Sequence, residues 1–131
     1  MRLLALDFGL KKIGTAITDP SQTYVFAKEI LANNAGFIAT LKQWIKTEKI
    51  GLIIMGQSPS KEIKTASEKL AKKIEKECVV PVIFVDEHYT TKQAQELRWT
   101  LGLKKKQRQN FDDDSAAAAY ILESYLQAHQ S

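Results

Sequence analysis

The strongest constraint on this chain is the order in which two hydrophobic periods alternate along it. Residues 2–7 (RLLALD) are a short apolar run ending in an acid, and residues 13–18 (IGTAIT) alternate, so both are predicted strands. Gly9 and Gly14 bracket the turn between them, which holds Lys11 and Lys12, and Asp19-Pro20-Ser21 signals a second turn. Residues 23–30 (TYVFAKEI) predict a third strand, and the short turns make these three an antiparallel meander. The period then lengthens. Phe37, Ile38, Leu41, Trp44 and Ile45 recur at helical spacing, followed by a buried strand at 51–55 (GLIIM) and a loop from Gly56 to Ser60. Ile63, Ala66, Leu70 and Ile74 form one face of a Lys/Glu-rich helix that ends before Pro81. Residues 82–85 (VIFV) predict a fifth strand, running into Asp86-Glu87; a helix over 91–100 and a last helix from about Asp113 follow. The order β-β-β-α-β-α-β-α-α implies an α/β fold with one five-stranded mixed sheet. Three strands are the meander, two are parallel, and helices flank the whole.

Such a sheet fits the chain length. The 131 residues are expected to form a single domain, 1–131, and carry no internal repeat or linker. No run of about 18 apolar residues is present, so no membrane helix is expected. The opening run is too short for a secretory leader. The lone Cys78 has no partner for an internal disulfide, which fits a reducing cytoplasmic setting, and it reads as core rather than nucleophile. Net charge is +4, and its placement says more than its size. Between Arg98 and Asn110 stand Arg98, Lys104, Lys105, Lys106 and Arg108, with no acid among them. The block suits either a phosphate backbone or a solvated loop.

Ligands of open α/β sheets gather beyond the carboxyl ends of the strands. Asp7 ends the first strand, Glu87 follows the fifth, and Asp114 opens the last helix. At about 100° per residue, Asp114 shares a face with Ala117, Ala118, Ile121 and Tyr125, the apolar face expected to pack on the sheet. An inward acid needs compensation, and three carboxylates converging from separate elements suit Mg²⁺ or Mn²⁺. Taken singly, each has a plainer role: a strand-end turn for Asp7, a solvated loop acid for Glu87, a helix cap for Asp114.

Four segments together resemble the YqgF family, also called RuvX or Holliday-junction-resolvase-like proteins. LALDFGLKKIGTAITD (4–19) resembles its opening signature, and IIMG (53–56) its second motif. DEHYTTKQA (86–94) resembles its Asp-Glu-Arg, Thr and Ala segment, and DSAAAAYILESYL (114–126) its terminal acid and Ala-rich helix. The resemblance covers nearly the whole chain. It implies a ribonuclease H-like fold and a metal-dependent nuclease for the 5′ end of pre-16S ribosomal RNA. It also implies Asp7, Glu87 and Asp114 as catalytic metal ligands. Lys12, and less directly Lys11, falls where the family has a basic residue; Thr91 matches its Thr. Two departures stand out. His88 replaces the Arg after the acid, and a neutral imidazole cannot make an Arg's bidentate phosphate contact. The loop after Gly56 reads QSPSKEIK, without the family's Pro spacing and Asp-Gly.

Three activities remain open from these readings. The first is a Mg²⁺- or Mn²⁺-dependent nuclease on structured RNA, holding the backbone with Lys11, Lys12, His88, Thr91, Lys104, Lys105, Lys106 and Arg108. The second is a structure-selective nuclease for branched DNA, which requires a two-fold dimer for symmetric cuts. The third is a non-catalytic nucleic-acid or ribosome-binding module. The expected partners are nucleic acid and ribosomal particles, with no membrane, for a monomer or weak homodimer. A two-lobed ATPase shares the opening pattern, but this chain is too short for two lobes.

Overall fold

The computed structural model describes residues 1–57, 60–86 and 113–129. Strands β1 (Arg2–Asp7), β2 (Lys12–Thr18), β3 (Val25–Ala27) and β4 (Leu31–Ala32) precede helix α1 (Phe37–Glu48). Strand β5 (Ile50–Gln57), helix α2 (Lys61–Cys78), strand β6 (Val82–Asp86) and helix α3 (Asp113–His129) follow. The strands run β3-β2-β1-β5-β6 across one sheet, with β4 also paired to β2. β1 is antiparallel to β2 and parallel to β5, and β5 is parallel to β6. The mixed sheet, the meander and the two later parallel strands therefore stand as expected from the sequence.

The edge of the meander differs. Instead of one strand over 23–30, two short strands pair with β2, giving six strands rather than five. From Ala16↔Ala27 to Ile13↔Leu31, β2 advances three residues while the edge advances four. One extra residue is thus inserted on the edge, as in a β-bulge, and it splits the strand. Lys28 N–H still donates to the Thr15 carbonyl (2.9 Å), and the buried Thr15 hydroxyl donates to the Glu29 carbonyl. A second irregularity lies where Arg2 pairs with Ile50 but Leu3 with Leu52, leaving Gly51 unpaired with β1. β5 also runs further than expected. Gly56 and Gln57 pair with Val85 and Asp86, so the loop begins after Gln57.

The two faces of the sheet hold separate cores. Leu4, Leu6, Ile13, Ile17, Ile53 and Met55 point to one side, where Phe37, Ile38 and Leu41 of α1 and Ala71 and Ile74 of α2 cover them. Leu3, Ala5, Ala16, Val25 and Ile54 point to the other, under Ala118, Ala119, Ile121, Leu122 and Leu126 of α3. On α2 the fully buried line is Ser67, Ala71 and Ile74, with Ile63 and Leu70 at its margins. The helix closes on Val79 in the left-handed region (φ 56°), two residues ahead of Pro81. Pro81 in turn disfavours helix at Val80. No helix among the described residues is long and apolar enough to cross a membrane.

Candidate nucleic-acid cleavage site at the carboxyl edge of the sheet

Because β1, β5 and β6 are mutually parallel, their carboxyl ends share one edge of the sheet. Asp7 is the last residue of β1 and lies on that edge, half-buried. Strand alternation fixes its direction. Leu3 and Ala5 belong to the core under α3, and Asp7 continues that series. Its direct partner on β2 is Gly14, and Gly56 follows Met55, the partner of Leu6 on β5. The register therefore sets a glycine beside Asp7 on each neighbouring strand. Glycine inside a strand marks a place where something must approach closely. Sequence reading used Gly14 only as a turn bracket and Gly56 only as a loop start; their flanking of Asp7 emerges from register.

β6 ends at the same edge. Gln57 pairs with Asp86, so the end of β6 is level with the end of β5 and one strand beyond it. Two strand spacings separate β1 from β6, about 9.6 Å. Glu87 is the next residue in the chain, and it lies outside the described residues. So do His88, Thr91, Lys104, Lys105, Lys106 and Arg108. Helix α3 begins at Asp113 and packs on the face that carries Asp7. The backbone of Asp114 sits in its first turn; its side chain is outside the description. The expected single inward face of α3 is broader in fact. Ala116, Ala117, Ala118 and Ala119 are all buried, so burial alone does not select the direction of the residue two positions earlier. Among the described residues no three acids, cysteines or histidines gather into a metal-holding group.

Lys11 and Lys12 are exposed in and just after the β1–β2 turn, beside Asp7 in sequence and at the same edge. Cys78 is half-buried against the α1/α2 core, and that burial pushes its thiol pKa up, away from the thiolate a nucleophile needs. At the opposite, amino-terminal end of β1, Asp19 closes a surface turn. Its carboxylate accepts hydrogen bonds from the Ser21 hydroxyl and from the Thr23 and Tyr24 N–H groups (2.7 and 2.8 Å). The Ser21 bond first, then the Tyr24 N–H, hold its pKa down at about 2.

Comparison with known proteins shows the family and the fold. The family model of RuvX, described as Holliday junction resolvase, matches residues 1–128. A candidate pre-16S rRNA nuclease of Rickettsia bellii is 34% identical over 131 residues, covering 95% of this chain and 84% of the relative. Its counterpart in Saccharophagus degradans is 36% identical over 134 residues, covering 97% and 94%. Among solved structures, fowlpox virus resolvase in complex with Holliday junction DNA superposes with a TM-score of 0.69 at 15% identity, over the full length of both chains. Thermus thermophilus RuvC with a Holliday junction substrate gives 0.64 at 17%, covering 99% of this chain and 96% of the other. At those identities the likeness concerns the fold alone, and it is the ribonuclease H-like fold expected from the sequence.

Proposed function

This chain belongs to the RuvX (Holliday junction resolvase) family, and from that premise we propose that it is a nuclease that hydrolyses phosphodiester bonds in the 5′ region of pre-16S ribosomal RNA. The observation that carries the reading is Asp7, set at the carboxyl edge of the sheet between Gly14 and Gly56 on the face covered by α3. Glu87 follows directly on β6, whose last residue Asp86 pairs with Gln57 at the same carboxyl edge. Asp114 opens the helix that covers that side. All three are hard oxygen donors. The set thus fits Mg²⁺ or Mn²⁺, with Asp7, Glu87 and Asp114 as the holding residues.

A divalent ion held by Asp7, Glu87 and Asp114 would supply Lewis acidity, acidifying a water and neutralising phosphoryl charge. The rest of the work belongs to the chain itself. Lys12, with Lys11, holds a backbone phosphate beside the acid, as a point charge on a flexible stem. Lys104, Lys105, Lys106 and Arg108 extend the contact along the duplex, so binding weakens steeply with salt and reads shape more than sequence. Thr91 adds a hydroxyl contact. His88 replaces the family's Arg and leaves phosphate grip there dependent on its protonation. Ribosomal precursor particles in the cytoplasm are the setting that such a substrate requires, and a monomer suffices for a single cut.

The test is Mn²⁺-dependent cleavage of precursor 16S rRNA beside four-way junction DNA, using the full chain and Asp7→Asn. The RNA should be cut, and Asp7→Asn should lose more than about a hundredfold in rate, the scale of removing a principal electrostatic stabiliser. Its thermal transition should stay within a few degrees of wild type. Faster cutting of the junction would favour the branched-DNA reading. Cleavage that survives Asp7→Asn would remove Asp7 from the chemistry, and no cleavage of either substrate would leave a binding module.

A further inference from the structure

The β1–β2 turn is fastened from outside by a residue that hydrophobic patterning passes over. Asn33 follows β4 directly. Its backbone N–H donates to the Lys11 carbonyl (2.9 Å), and its side-chain Nδ2 donates to the Gly9 carbonyl (2.9 Å). The two residues before it pair with the start of β2, Ala32 with Lys12 and Leu31 with Ile13. One residue thus grips the turn at two points, on the carbonyls of Gly9 and Lys11. Because the acceptor at Gly9 is a carbonyl, only a hydrogen-bond donor satisfies it; an aspartate carboxylate or an alanine cannot. The turn is also tight. A Cβ at Gly9 would stand 2.6 Å from the Lys12 carbonyl oxygen, so any side chain there forces the backbone apart. Asn33 is half-buried, whereas Lys11 and Lys12 are exposed.

We propose that Asn33 is a positioning residue for phosphate binding: it locks the Gly9–Lys12 turn so that the lysines meet the substrate backbone beside Asp7. The inference rests on reading Lys11 and Lys12 as phosphate contacts. Lysine stems are long and flexible, so the geometry of their charge is set by where the backbone starts them. A turn that is already fixed has less freedom to lose when substrate binds. The bulge in the edge strand has a use in this light. The extra residue between β3 and β4 lets the chain hold the far end of β2 and still deliver Asn33 to the turn.

The experiment measures anisotropy of a fluorescent RNA hairpin with the full chain over a series of salt concentrations. Asn33→Ala is made alone and on top of Lys11→Ala/Lys12→Ala, with thermal melting and Mn²⁺ affinity alongside. Asn33→Ala should weaken RNA roughly fivefold, the scale of one lost hydrogen bond, and flatten the salt dependence. Mn²⁺ affinity should stay unchanged. In the double-lysine background the same change should cost nothing further, because residues that act through one another are non-additive. Gly9→Ala reaches the turn from its other side and should reproduce this pattern, so the test survives poor folding of either variant. Equal losses in both backgrounds, no loss in the wild-type background, or a parallel loss of Mn²⁺ binding would each overturn the proposal. If the double-lysine variant alone keeps full affinity and salt slope, the phosphate reading of the turn falls, and the role of Asn33 with it.

Discussion

The two faces of the sheet are built from different sizes of side chain. Under α1 and α2 the sheet offers Leu4, Leu6, Ile13, Ile17, Ile53 and Met55, met by Phe37, Leu41 and Ile74. Under α3 it offers Ala5 and Ala16 with Leu3, Val25 and Ile54; Ala118 and Ala119 meet it first, with Ile121, Leu122 and Leu126 further along the helix, and the row carrying Asp7 includes Gly14. Large aliphatics on the first face fill space and remove the most apolar area from water, so that face supplies most of the stability. Small residues on the second let a helix approach closely, which the proposed site needs if Asp114 is to share an ion with Asp7. Under the proposed function, stability and chemistry fall on opposite sides of one sheet, and each side should respond to substitution in its own way.

The largest effect on stability belongs to the first face. Leu41→Ala leaves a cavity beneath α1 and should cost about 2–5 kcal/mol in denaturant unfolding. Cleavage per folded molecule should stay as in wild type. A loss of cleavage out of proportion to unfolding would break the division between faces. On the second face, Ala118→Leu overfills a fully buried contact and should cost about 1–3 kcal/mol. The smaller destabilisation should carry the larger loss of cleavage, because the side chain wedges α3 away from β1. Equal cleavage in the two variants would show that α3 need not lie close.

The smallest effect lies away from both faces, at the exposed turn of Asp19. Its carboxyl is held at about 2 in the folded chain against an ordinary value of 3.8. A depressed pKa stabilises the fold above the unfolded value, and that contribution is lost as pH falls through the folded one. Asp19→Asn should therefore lower the melting temperature slightly at neutral pH. The gap from wild type should close as pH falls from 3.8 to about 2. A gap independent of pH would assign the effect to packing instead of charge.

Much of this division could be read from the sequence, and the part that could not has physical causes. RLLALD placed Asp7 at a strand end because an acid rarely interrupts an apolar run elsewhere. The helical periods of α1 and α2 were visible because one face of each is wet. The stretch TYVFAKEI gave no warning of its bulge, since an inserted residue changes register and leaves composition untouched. The reach of β5 to Gln57 was hidden for a related reason. Glycine and glutamine have little strand propensity, and the ladder with β6 imposes the conformation on them. In α3 four consecutive alanines fit any face, so the periodicity that aimed Asp114 inward was weaker than it looked. Asn33 left no periodic trace, because its role lies in two hydrogen bonds to a turn more than twenty residues away. The acid pair completed by Glu87 and the basic block from Lys104 to Arg108 were legible only as sequence, and they remain proposals.

The proposed function requires that Asp7 of β1, Glu87 just after β6 and Asp114 in the first turn of α3 grip one ion together. Titration calorimetry of Mn²⁺ into the full chain and into Asp7→Asn, Glu87→Gln and Asp114→Asn tests this without any substrate. Saturable binding in the wild type, weakened at least tenfold by each of the three substitutions, is the predicted result. Wild-type affinity retained in any one of the three variants would contradict shared coordination.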